Sequence, residues 1–132
     1  MISQKSAKAC GPYVVNKSNI IPRDTGYGER VYELAGPEDG NIYKHCIAIV
    51  DIDPGKSSKR HFHPSVEETY FVLSGRALVS IDGVDVIISP GDLVTIPTGV
   101  HHKVTNLSDS EVLQLYVTCA EPFTSECSIF LE

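Results

Sequence analysis

The sequence predicts an all-β domain built as a sandwich, a jelly roll or a closed barrel. Short segments rich in Val, Ile, Tyr and Leu, which are favoured in strands, recur along the chain. Glycine and proline separate these segments at short intervals, which leaves little room for helices. Several short strands joined by regularly spaced turns are typical of closed or two-sheet β folds. The predicted strands lie at 42–52, 69–74, 77–81, 84–89 and 112–118.

One tight turn and the outer boundaries of the domain can also be predicted. Asp82-Gly83 separates two of the predicted strands, and this dipeptide is favoured in two-residue type I′ hairpins. The first forty residues carry repeated prolines and glycines, which predict an irregular arm with one or two short strands. We therefore expect an N-terminal arm at 1–41, a barrel at 42–119 and a C-terminal tail at 120–132.

Composition limits the classes of function that the chain can serve. With 132 residues, 42% of them hydrophobic, the chain is expected to form one domain with a single core. Its formal charge of −6 argues against binding to nucleic acid. It contains no apolar run long enough for a signal peptide or a membrane span, so we expect a soluble, cytoplasmic protein.

The four cysteines are scattered and show no C-x-x-C spacing. A zinc knuckle or a redox dithiol therefore has no support from the pattern, and we expect buried thiols. The cysteines are Cys10, Cys46, Cys119 and Cys127.

The strand that begins near residue 68 is apolar on both faces. Successive side chains of a strand point to opposite faces of its sheet. One face carries Glu68, Tyr70 and Val72, and the other carries Thr69, Phe71 and Leu73. Both faces are therefore expected to be covered, by a second sheet or by a partner subunit, which favours a homodimer.

Histidines and a glutamate near this strand suggest a metal site. His61 and His63 share one face of an extended chain, and only one of His101 and His102 can face the interior. Two histidines and a carboxylate from one hairpin, joined by a third histidine, suit a divalent first-row transition metal. A His-x-His pair alone is more often a surface pair than a ligand pair, so these residues leave both interpretations open.

The spacing of these residues resembles the two motifs of the cupin superfamily. The first motif is G-x5-H-x-H-x4-E-x6-G and the second is G-x5-P-x-G-x2-H-x3-N. Residues 76–90 separate them, the short spacing of compact microbial cupins. The fixed positions are Gly55, His61, His63, Glu68 and Gly75 in the first motif, and Gly91, Pro97, Gly99, His102 and Asn106 in the second.

The resemblance implies a cupin-type double-stranded β-helix, a jelly-roll barrel, with one divalent transition metal per chain. It implies His61, His63, Glu68 and His102 as the metal ligands. His101 and Glu67 would then point outward, and Asn106 would cap backbone groups. Iron(II) or manganese(II) is the expected ion, and nickel or zinc would also fit this ligand set.

The resemblance also implies a class of function without fixing the reaction. Similar cupins include dioxygenases, decarboxylases, isomerases and epimerases, and others only bind a small molecule. We expect a metal-dependent enzyme, an oxygenase or isomerase, acting on a small polar or carboxylated substrate. The alternative is a non-catalytic cupin that binds a sugar or acid. Lys59 and Arg76, at turns near the motif, would steer an anionic substrate or remain solvated.

Further candidate site residues follow from the same alternation of faces. Tyr70 would donate a hydrogen bond to substrate or fill the barrel. Gln114 and Tyr116 share one face of the last predicted strand, and Tyr43 and His45 share one face of the first. If those faces look inward, the four side chains line the cavity. His45 would then transfer protons, although a structural histidine is the alternative.

Overall fold

The computed structural model describes residues 9–11, 14–38, 41–122 and 128–132. It is an all-β protein in which two antiparallel sheets face each other, with a short 3-10 helix at Lys17–Asn19 and no α-helix in the described ranges. None of the described segments forms a helix with the length and apolar character needed to cross a bilayer. The strands are β1 Ala9–Gly11, β2 Val14–Val15, β3 Arg23–Asp24, β4 Glu29–Ala35, β5 Cys46–Ile52, β6 His61–Phe62, β7 Glu67–Ser74, β8 Ala77–Ile81, β9 Val84–Ile88, β10 Leu93–Ile96, β11 His102–Asn106, β12 Leu113–Ala120 and β13 Ile129–Phe130.

The two main sheets form the walls of a jelly-roll barrel, as the fold prediction expected. One sheet has six strands in the order β10-β7-β12-β5-β4-β3, and the other has five in the order β13-β6-β11-β8-β9. Strands β1 and β2 form a separate two-stranded sheet. The core lies between the main sheets and includes Ile52, Leu113 and Leu115, each at most 1% exposed. Burial of each such side chain contributes about 2 to 3 kcal/mol.

The predicted hairpin turn is confirmed. Ile81 and Val84 are paired across a two-residue loop formed by Asp82 and Gly83. Both loop residues have positive φ, 51° for Asp82 and 80° for Gly83, as a type I′ turn requires. This loop fixes the register of β8 and β9 over all five residue pairs.

The strand β4 lies in the segment that was predicted to be an irregular arm. It runs for seven residues and pairs with β5, placing Glu29 opposite Ile52 and Glu33 opposite Ala48. Its inner face alternates Glu29, Val31 and Glu33, so the strand presents two carboxylates to the cavity. The strand β10 was not predicted, since turn-forming residues flank its four positions, and it pairs with β7.

The first predicted strand begins later than expected. Tyr43 and His45 precede β5, which starts at Cys46. The amide of Asn41 closes the connection from β4, because its Oδ1 accepts from Gly36 N at 2.9 Å and its Nδ2 donates to the Leu34 carbonyl at 3.3 Å. The chain is therefore still turning where the sequence predicted an extended strand.

Candidate metal centre and cavity

Four side chains from three strands and a loop converge between the sheets. His61 lies on β6, His63 follows that strand, Glu68 lies on β7 and His102 opens β11. His61 and His102 are paired across β6 and β11, and the Gly99 amide donates to the His63 carbonyl at 2.8 Å. The backbone thus joins the two motifs directly. One ligand atom from each of the four side chains lies within 4.8 Å of the others.

Neighbouring groups orient the three imidazole rings. Nδ1 of His61 lies 2.7 Å from the Lys59 carbonyl, and Nδ1 of His102 lies 2.9 Å from the Val100 carbonyl. A carbonyl only accepts, so both Nδ1 atoms carry the hydrogen and both Nε2 atoms keep a lone pair for a metal. Nδ1 of His63 lies 3.3 Å from the Ser128 hydroxyl. Partners of this kind are typical of metal-binding histidines.

Glu68 supplies the negative charge of the cluster. Its Oε1 lies 3.0 Å from His102 Nε2 and 3.5 Å from His63 Nε2. Burial alone would raise the pKa of this carboxyl, but the close contacts with His102 and His63 outweigh burial and hold the pKa well below its ordinary range. Glu68 is therefore a carboxylate at neutral pH, as a metal ligand must be.

The residues present fit a divalent metal ion. Both ring nitrogens of His102 face acceptors, the Val100 carbonyl and Glu68 Oε1, so a cation is needed on the Nε2 side, either a proton or a metal. Burial and the neighbouring charge of His102 lower the pKa of His61 to about 4, so His61 is neutral at physiological pH. Neutral imidazoles and one carboxylate form a donor set for one transition-metal ion.

A cavity of about 220 Å³ adjoins this cluster and lies between the two sheets. His61, Glu68 and Tyr70 line its wall at the cluster, and Val50, Leu115 and Val117 are among its apolar lining. Tyr70 is 5% exposed, and its ring centroid lies 6.0 Å from that of His102. Burial and the charge of Glu68 raise the pKa of Tyr70, so its hydroxyl stays protonated and remains a donor.

The cavity also contains an acidic group that the sequence did not reveal. Glu29 of β4 lines it, and the Tyr27 hydroxyl donates to Glu29 Oε1 at 3.3 Å. Burial raises the pKa of Glu29 above its ordinary value. Arg23 and Lys59 also line the cavity, and Lys59 Nζ lies 5.1 Å above the Tyr27 ring. The one available signal was the alternation Glu29-x-Val31-x-Glu33, which predicts a strand with a polar inner face.

The structure does not bring four of the predicted pocket residues into the cavity. Gln114 and Tyr116 lie on the opposite face of β12, because Leu115, Val117 and Cys119 face inward. Gln114 instead donates to Asp51 Oδ1 at 3.1 Å. Tyr43 and His45 lie ahead of β5, and Tyr43 is 68% exposed. None of the four lines this cavity. They were expected to do so only if their strand faces look inward, and for Gln114 and Tyr116 that condition is not met.

Other predictions about neighbouring residues are confirmed. His101 and Glu67 point outward, and His101 stacks on Phe62 with ring centroids 4.8 Å apart. Asn106 caps backbone groups, since its Nδ2 donates to the Ile52 carbonyl at 3.0 Å and to the Glu111 carbonyl at 2.8 Å. Lys59 lines the cavity, whereas Arg76 does not.

Two of the four cysteines are buried thiols, as expected. They are Cys46 and Cys119, and each is at most 4% exposed. Hydrogen bonding with Cys46, burial and the charge of Glu68 raise the pKa of Cys119 far above that of an ordinary thiol. The side chains of Cys10 and Cys127 lie outside the described part of the molecule.

Comparison with known proteins gives consistent matches. Residues 48–119 match the family model described as Cupin_2, a cupin domain. The uncharacterized protein MJ1618 of Methanocaldococcus jannaschii is 30% identical over 118 residues, which span 86% of this chain and 90% of that protein. The acireductone dioxygenase of Bacillus pumilus is 33% identical over 99 residues, which span 67% of this chain and 56% of that enzyme. The structure of Lactobacillus farciminis oxalate decarboxylase has a TM-score of 0.75 at 24% identity, covering 89% of this chain and 35% of that one.

Proposed function

Because this chain belongs to the cupin family, we propose that it is a metal-dependent enzyme of the oxygenase or isomerase type, acting on a small chelating molecule. The observation that carries this proposal is the convergence of three imidazoles and one carboxylate beside a cavity of about 220 Å³. Four protein ligands leave about two positions of an octahedral ion open to substrate. Open positions are the mark of a catalytic rather than a structural metal.

The proposed ion is iron(II) or manganese(II), with nickel(II) and zinc(II) as alternatives, because imidazole and carboxylate ligands suit all four. When bound, the ion would polarise substrate oxygens as a Lewis acid and, as iron(II), would support reaction with dioxygen. The similarity to acireductone dioxygenase over 67% of this chain supports the oxygenase branch. The fold shared with oxalate decarboxylase is compatible with small polar substrates.

The protein's own groups in the cavity would bind the substrate and move its proton. Glu29 has a raised pKa and receives a hydrogen bond from Tyr27, so it would accept a proton from a substrate hydroxyl or an acidified C–H group. Tyr70 would donate a hydrogen bond to a substrate oxygen. Arg23 and Lys59 would favour the entry of an anion, since both line the same cavity.

Metal analysis and a substrate screen test this proposal. Protein purified without an affinity tag should contain close to one divalent ion per chain, as a cluster of this kind predicts. The iron, manganese, nickel and zinc forms should then be screened against small acids, sugars and phenolics, with oxygen uptake and product formation as readouts. Turnover that Glu68→Ala abolishes is the expected result. Tight binding that never yields product would assign the chain to the binding class instead.

We also propose that the chain forms a homodimer. Phe71 and Leu73 on β7 are 38% and 41% exposed, and Leu93 on β10, which is paired with Phe71, is 59% exposed. These three apolar side chains face outward and form the part of the sheet that a second subunit would cover. Light scattering at micromolar concentration should give the mass of two chains, and the mass of one chain would contradict the proposal.

A further inference from the structure

The two oxygens of Glu68 have different surroundings. Oε1 faces the histidines, at 3.0 Å from His102 Nε2 and 3.5 Å from His63 Nε2. Oε2 instead accepts a hydrogen bond from the Cys119 thiol, with 3.4 Å between Oε2 and Sγ. The carboxylate thus presents one oxygen to the cluster while the thiol engages the other.

The position of Cys119 is fixed by its strand. Cys119 of β12 is paired with Glu68 of β7 on one side and with Cys46 of β5 on the other. Its side chain is 3% exposed. A central strand with partners on both sides has little freedom to move Cys119 away from the carboxylate.

We propose that Cys119 is a positioning residue that restricts Glu68 to binding the metal through Oε1 alone. The inference rests on the proposed metal-dependent function. A carboxylate can bind an ion through one oxygen or through both, and a second oxygen would occupy one more coordination position. A thiol is a weak donor, but its acceptor here is a buried carboxylate, which strengthens the bond. Turning Oε2 toward the metal would break this bond.

The consequence of single-oxygen binding is the number of positions left for substrate. With three imidazoles and Oε1 as ligands, an octahedral ion keeps about two positions, and with both oxygens it keeps about one. A chelating substrate needs two. Cys119 therefore contributes to catalysis through Glu68, by keeping this carboxylate from closing one of the positions.

Water exchange in the manganese(II) form tests this role, because water-proton relaxation measures the number of water molecules bound to the ion. Wild type should hold about two such waters and Cys119→Ala about one, an inner-sphere relaxivity lower by about two-fold. Cys119→Ser keeps a donor and should restore the wild-type value. Cys46→Ala is the matched control, because it removes a similarly buried thiol from the neighbouring strand and leaves the bond between Cys119 and Glu68 in place. This variant should also keep the wild-type relaxivity.

A crystal structure of the metal-loaded wild type provides a second measurement that needs no variant. It should show Oε1 of Glu68 alone at bonding distance from the ion, and both carboxylate oxygens at bonding distance would overturn the inference. The inference would also be overturned if Cys119→Ala had the same relaxivity as the wild type, or if Cys46→Ala lost as much relaxivity as Cys119→Ala. A wild type that takes up no manganese(II), iron(II), nickel(II) or zinc(II) would overturn the proposed function, whereas a loaded wild type with two oxygens from Glu68 overturns this inference alone.

Discussion

Between about pH 7 and about pH 5 the metal-free wild type should lose about 2 kcal/mol of its free energy of unfolding through His61, and the variant His61→Gln should lack this loss. Burial and the charge of His102 lower the pKa of His61 from 6.5 to about 4 in the folded chain. The unfolded chain therefore binds this proton more readily than the folded chain does. The free energy of unfolding therefore decreases as the pH falls below 6.5, the pKa of the unfolded histidine. It continues to decrease until the pH reaches about 4, the pKa of His61 in the folded chain.

The size of the loss follows from the two pKa values. At about pH 5 an unfolded histidine is mostly protonated, while His61 in the folded chain is mostly neutral, and this difference lowers the free energy of unfolding by about 2 kcal/mol. Glu68 also has a lowered pKa, but the unfolded carboxyl titrates near 4.5, so Glu68 contributes mainly below this range. The range chosen thus separates the contribution of His61 from that of Glu68.

Urea denaturation in the presence of a chelator, at both pH values, measures the effect. The informative quantity is the change in unfolding free energy between the two pH values, because the lost packing of the His61 ring affects both equally. His101→Gln is the matched control, since His101 is an exposed neighbour and should keep the wild-type dependence. The same dependence in wild type and His61→Gln would refute the assignment of a neutral, buried His61.

Three further results are expected. His102→Ala should lose most of the bound metal while the exposed His101→Ala keeps it, as elemental analysis will measure. Gly75→Ala should lower the free energy of unfolding, measured by urea denaturation, by about 1 kcal/mol more than Gly91→Ala does. Both glycines have φ of 92°, but only at Gly75 would the added Cβ lie 3.0 Å from the backbone of another strand. Glu29→Gln should lower turnover about 100-fold with metal content unchanged, whereas equal rates would remove Glu29 from proton transfer.

The metal cluster could be predicted because its residues match the motif spacing of the cupin family, and alternation along the strands agrees with that match. His61 and His63 share a face of an extended chain by alternation alone, but alternation left open which of His101 and His102 faces inward, and the motif selected His102. The contact that joins the motifs, from the Gly99 amide to the His63 carbonyl, needed the structure. Sequence spacing carries no information about which distant backbones will pair.

The cavity was harder to predict than the cluster. Gln114 and Tyr116 were expected to line the cavity if their face of β12 looks inward, yet the inner face of that strand is apolar. Part of the polar lining comes instead from Tyr27 and Glu29, in a segment whose prolines and glycines predicted an irregular arm with one or two short strands. The thiol of Cys119 was predicted to be buried, but its bond to Glu68 depends on pairing between strands fifty residues apart.

Part of the cavity lining comes from a stretch of the chain that contains none of the four candidate metal ligands. Those ligands lie between residues 61 and 102, whereas β4 and the turn before it supply Tyr27, Glu29 and Val31 to the cavity. Mutations in that earlier stretch can change the shape and charge presented to a substrate without altering a metal ligand. A library of variants randomised at these three positions would therefore sample new substrate selectivities while the metal ligands stay the same. This small barrel is thus a starting point for directed evolution.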